Sequence, residues 1–111
     1  MSRIIREIPQ SAWARTQEVW SHGYCLYVIE EQNVGPVKVG VATHPIRRLS
    51  TLQCGNPRHL YLRHIFCGTR EDCRFIEGAV HFHFSGSILR GEWIGEHVSA
   101  VVAEITPWVA P

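Results

Sequence analysis

An α+β fold, a three-stranded antiparallel sheet flanked by helices, is what this sequence predicts, and three observations carry the prediction. Two short runs of strand formers, Tyr24 to Ile29 and Val37 to Val41, are joined by a polar segment ending in Gly35-Pro36, which reads as a β-hairpin. A helix signal follows at once: Thr43, a Pro45 suited to a first helical turn, then Ile46, Leu49 and Leu52 at helical spacing. Further on come a third strand-forming run and two more stretches with helical periodicity.

In chain order, residues 1–22 read as an N-terminal helical extension, 23–106 as the domain and 107–111 as a C-terminal tail. Ser11 can cap a helix running through Ala12, Trp13, Arg15, Glu18, Val19 and Trp20, between Pro9 and Gly23. Trp13 and Trp20 are seven apart and share a face. Packing onto the domain is the usual fate of such a stripe; a homodimer interface or a base-stacking platform is the alternative. The hairpin carries Tyr27 and Lys38, and the helix from about Pro45 to Gln53 carries Arg47 and Arg48 in its first turns, so a phenol and fixed cations converge. Gly55-Asn56-Pro57 breaks the chain. A third strand, Leu60 to Cys67, alternates only imperfectly, and either face could point inward. Thr69, with Asp72 three residues on, caps a helix through Phe75, Ile76, Ala79, Val80 and His83, with Glu77 at the edge of its apolar face. Ser85-Gly86-Ser87 ends it, Leu89 to Ile94 reads as an irregular loop, and a last helix runs from about Glu96 to Ile105 before Pro107.

A chain of 111 residues with 45% hydrophobic and 19% charged residues fits one globular domain, too short for a separate sequence-reading domain. It has no apolar run long enough for a membrane span and no signal-peptide core, so a cytoplasmic protein without membrane partners is expected. The net charge of +1 provides no general field for a polyanion. Lys38 is the only lysine among eleven basic residues, however, and the ten arginines suit bidentate phosphate contacts wherever they cluster. Cys25, Cys54, Cys67 and Cys73 lack the paired spacing of a structural zinc site; a site built from Cys67 or Cys73 with His81 and His83 is the weaker alternative to buried thiols.

The hairpin resembles that of the GIY-YIG endonucleases, with Cys25-Leu26-Tyr27 and Lys38-Val39-Gly40 at the two tripeptides and Arg48 eight residues after the glycine. A short phage and prokaryotic branch is most similar, through Lys38-Val39-Gly40, the run from Arg48 to Pro57, RLSTLQCGNP, and Gly91-Glu92-Trp93. The resemblance implies a divalent-metal-dependent endonuclease acting on DNA. It implies Tyr27 as general base or water-orienting group, Arg48 as phosphate clamp, Glu77 as the ligand of one Mg2+ or Mn2+ ion, and Lys38 as a catalytic partner. A free tyrosine, with a pKa of roughly 10, needs nearby positive charge to act as a base, which Lys38 and Arg48 could supply. A lone carboxylate is tolerable for magnesium, which keeps waters and takes phosphate. Lys38, Arg47, Arg48 and Arg58 are the candidate nucleic-acid contacts. His81, four residues from Glu77, and His44 are auxiliary candidates. Glu92 is open between a second metal ligand, a partner for Arg48 or Arg90, and a structural cap. The rival readings are a binding module without cleavage and a protein-interaction adaptor.

Overall fold

The computed structural model describes residues 4–15, 20, 22–33 and 35–111. Its strands are β1 (Arg6–Glu7), β2 (Cys25–Glu31), β3 (Val37–Ala42), β4 (Leu60–Cys67), β5 (Ile88–Arg90) and β6 (Trp93–Ile94), and its helices α1 (Pro45–Cys54), α2 (Arg70–His83) and α3 (Val98–Ile105). The α+β class follows the sequence prediction, and β2, β3 and β4 lie on the three strand-forming runs. The sheet departs from the prediction: it has six strands in the order β1-β4-β2-β3-β6-β5, all paired antiparallel. The three additional strands are two or three residues long, too short to display alternation, and form because a longer strand lies beside them. Leu89 to Ile94, expected as irregular loop, is the β5–β6 hairpin, turned at Gly91, whose φ of +51° suits a residue without Cβ.

Both faces of the sheet are covered, which is why all seven residues of β2 are buried. On one face Leu26, Val28, Val37, Val39 and Phe66 pack against Cys73, Ile76 and Val80 of α2 and Val101 and Ile105 of α3. On the other, Tyr27, Ile29 and Leu60 pack under Leu49 and Leu52 of α1. β4 serves both faces, Phe66 on the first and Ile65 on the second, and this explains its irregular pattern. Each fully buried aliphatic side chain contributes about 1.5–3 kcal/mol.

α1 starts as its sequence dictates: Pro45 occupies the first turn and His44 Nδ1 accepts the Arg47 amide at 3.2 Å. Thr69 caps α2 as expected, its hydroxyl accepting the Asp72 amide at 3.0 Å. Near the N-terminus a 3-10 helix spans Gln10–Arg15, beginning ahead of the expected Ser11 cap; Glu18 and Val19 lie outside the described residues. Trp13 donates its indole N–H to the Ile8 carbonyl at 3.0 Å, and Trp20 is 8% exposed against Cys25. Both tryptophans pack onto the domain, and the proposed homodimer through them is unsupported. No helix among the described residues is long and apolar enough to cross a membrane.

Candidate active site

β6 pairs with β3 only at Val37 and Lys38, so β3 runs on from Val39 without a strand on that side. His81 of α2 reaches this open edge, its Nε2 lying 2.9 Å from the Val39 carbonyl oxygen. A carbonyl only accepts, so Nε2–H is the donor in this contact. The break in the sheet lets groups from its two faces meet.

Tyr27 and Gly40 are directly paired across β2 and β3. A Cβ at Gly40 would collide with the Tyr27 ring and its hydroxyl, so the glycine is what allows the phenol to lie over the neighbouring strand. Tyr27 is 2% exposed. Burial pushes its pKa above the ordinary 10.0; a hydrogen bond and positive charge from Arg48 oppose this, and the carboxylates of Glu92 and Glu77 add to it. The expectation of a lowered phenol pKa is therefore corrected. Lys38 is occupied elsewhere, and Arg48 alone does not offset desolvation.

Lys38 Nζ lies 3.0 Å from Glu92 Oε2 and 5.9 Å from the centroid of the Trp93 ring. The hydrogen bond from Lys38 holds the Glu92 carboxyl below the ordinary carboxylate range. Of the roles open for Glu92, ion pairing is the one seen, with Lys38 rather than Arg48 or Arg90. Glu77, one residue past the buried Ile76 of α2, makes no hydrogen bond or ion pair among the described residues. Burial raises its pKa, against the opposing charges of His81, Arg74 and Lys38.

Arg48 and Arg47 are exposed on the first turns of α1, and with Ala42, Thr43, His44 and Thr51 they line a shallow open depression. Arg48 acts electrostatically on both Tyr27 and Glu92. His44, offered as an auxiliary residue, spends Nδ1 on capping α1. The structure thus gathers Tyr27, Lys38, Arg48, Glu77, His81 and Glu92, with Arg47 and His44 alongside. Arg58 stands apart, at the far end of α1.

What holds Arg58 is a residue that sequence reasoning missed. Glu31, 1% exposed at the end of β2, accepts from Asn56 Nδ2 at 3.0 Å and Arg58 Nη1 at 3.1 Å, and pairs with Arg90. Burial pushes its carboxyl up, but the hydrogen bonds from Asn56 and Arg90 and the charges of Arg90 and Arg58 hold it below the ordinary range. The signal was the strand period: Tyr27, Ile29 and Glu31 share a face. Gln53 completes the clasp, donating to the Asn56 and Arg58 carbonyls and accepting the Leu60 amide at 2.8 Å.

Among the described residues no three His, Cys, Asp or Glu side chains converge to hold an ion. Glu77, without a hydrogen bond or ion pair among the described residues, is the one carboxylate here that could take a cation keeping most of its waters, since Glu92 is engaged by Lys38.

The comparison with known families corrects the resemblance. The family model that matches, over residues 24–109, is the T5orf172 domain, a family distinct from the GIY-YIG endonucleases, for which no match arises. No curated protein and no solved structure shows a significant match. The match is compatible with nucleic-acid binding and specifies no endonuclease activity. Spanning well over half the sequence, it shows that the chain belongs to the T5orf172 domain family.

Proposed function

We propose that this protein is a divalent-metal-dependent endonuclease that hydrolyses phosphodiester bonds in DNA with low intrinsic sequence specificity. One observation carries the reading: the buried Tyr27 phenol lies over Gly40, two residues along β3 from Lys38, which holds Glu92 at 3.0 Å, and His81, one turn from Glu77 on α2, reaches the intervening Val39 at 2.9 Å. Family membership, compatible with nucleic-acid binding, agrees with it.

Hydrolysis requires charge stabilisation at the phosphoryl oxygens, a positioned water and an acceptor for its proton. Arg48, with Arg47 beside it, holds the phosphate in the open depression on α1. Tyr27, protonated at neutral pH, acts as a hydrogen-bond donor to a phosphoryl or leaving oxygen rather than as a base. Glu77 would hold Mg2+ or Mn2+, and its carboxylate would accept a hydrogen bond from the attacking water. Its raised pKa makes it a stronger acceptor than an ordinary carboxylate. When bound, the ion supplies positive charge where the phosphoryl group gains negative charge. Lys38 contributes once the incoming phosphate competes with Glu92 for it.

A metal-titrated nicking assay on supercoiled plasmid and single-stranded DNA tests this. The wild type is expected to cut with Mg2+ or Mn2+, and Glu77→Ala to lower the rate by about 10²–10³-fold, the scale of losing a transition-state electrostatic contact. Wild-type protein that binds every substrate and cuts none sinks the nuclease and leaves a binding module. Unchanged DNA affinity in Arg48→Ala points instead to a protein adaptor.

A further inference from the structure

We infer that Gln32 and Asn33, directly after β2, form with the start of β4 a pocket for one unpaired nucleobase of the bound strand, away from the phosphate site. The inference rests on the nucleic-acid reading and narrows its substrate class to DNA with a single-stranded segment beside the cleaved bond.

The pocket is lined by Gln32, Asn33, His59 and Tyr61. His59, just before β4, and Tyr61 within it are in tilted contact, their ring centroids 4.4 Å apart and their planes inclined at 54°. Arg63, two residues further on, sits 4.6 Å over the Tyr61 ring and is itself held by Glu30 at 2.9 Å and Asn33 at 3.4 Å. Tyr61 is thus braced from one side, while His59 is exposed. Rings held in this way stack on a base at little entropic cost, whichever base it is.

The opposite wall is polar. Asn33 spends its Oδ1 on Arg63, leaving its Nδ2 donors without a partner among the described residues, and the Gln32 carboxamide likewise has none among them. Gln32 has a φ of +58°, the left-handed region a glutamine rarely adopts, and its amide is tied to the His59 carbonyl at 2.7 Å. That bond ties the backbone at Gln32 to the backbone at His59, directly before β4. Two aromatic faces beside free donors and an acceptor match a planar heterocycle with a hydrogen-bonding edge, available only when the base is unpaired.

Position supports the same occupant. Gln32 is five residues beyond Tyr27, about 17 Å at ~3.3 Å per residue along a strand. This is the reach of roughly five stacked nucleotides at ~3.4 Å each. Arg47 and Arg48 lie at one end of α1, and Arg58, 58% exposed despite its pairing with Glu31, lies just before His59 at the other. A phosphate backbone has cations at both ends of this path.

An abasic scan tests the inference. Binding of a labelled 12-nucleotide single strand is measured by fluorescence anisotropy in chelator, so that no cleavage occurs, with one abasic residue moved along it. The wild type should lose about tenfold in affinity at a single position, the order of one base–aromatic stack. His59→Ala and Gln32→Ala should bind the intact strand correspondingly weakly and be indifferent to that abasic position. Tyr61→Ala, with folding checked by thermal melt, should do the same. A flat scan, variants that match the wild type, or no binding of the single strand overturns the pocket. Cleavage is scored separately: cutting with a flat scan removes only the pocket, and a position-specific scan without cutting removes only the nuclease.

Discussion

Gly40 shows most plainly how one residue governs the site. Its place opposite Tyr27 was not legible in the sequence, because a hairpin signal leaves the register open, and neither was the reason for it: the phenol lies where a Cβ would be. Gly40→Ala is expected to displace the ring at a cost of about 1–3 kcal/mol, the range for overpacking a filled site. Because strain and ring share the same space, Gly40→Ala combined with Tyr27→Ala should cost less than the sum of the two, by at least 0.5 kcal/mol in urea unfolding. Additive effects would mean that the phenol lies elsewhere. The protonation state of Tyr27 was also beyond the sequence. Neighbouring cations could be read from residue types, but desolvation depends on α1 covering the strand.

At the level of elements, the long ones were readable: β4 falls on its run of strand-forming residues despite an irregular alternation, and α1 and α2 begin where Pro45 and Thr69 put them. The short strands were not. β5 and β6 show no period of their own, yet they decide where β3 becomes open and hence where the site can form. The Glu31 clasp, which ties β2 to the Asn56 loop and the β5–β6 turn, is the element-scale feature most exposed to test. Its carboxyl titrates below the ordinary 4.5 in the folded state. Its stabilising effect is therefore complete above about pH 4.5 and lost as pH falls through the depressed value. Glu31→Gln should lower stability by about 1.5–3 kcal/mol at pH 7, as expected for lost charge-assisted hydrogen bonds. In urea titrations the gap from wild type should narrow below pH 4; a gap that stays constant would mean that the carboxylate charge contributes nothing.

The molecule as a whole is knitted at its ends. Ile5 is fully buried, its amide donating to the Trp108 carbonyl at 3.0 Å and its carbonyl accepting from Ala110 at 2.8 Å, while Ile8 donates to Ile65 at 2.8 Å. Sequence patterning could not reveal this, because two-residue contacts between distant segments leave no periodic trace. Ile5→Ala should cost about 2–5 kcal/mol in thermal or urea unfolding. A loss below 1 kcal/mol would show the first residues to be dispensable. The same long-range closure brings α2 to the open edge of β3, and the nuclease account depends on it. Manganese anomalous scattering from crystals grown with a short oligodeoxynucleotide tests that account most directly. It predicts one peak beside the Glu77 carboxylate, facing Tyr27 and a phosphate held by Arg48; no peak, or a peak on another surface, would contradict it.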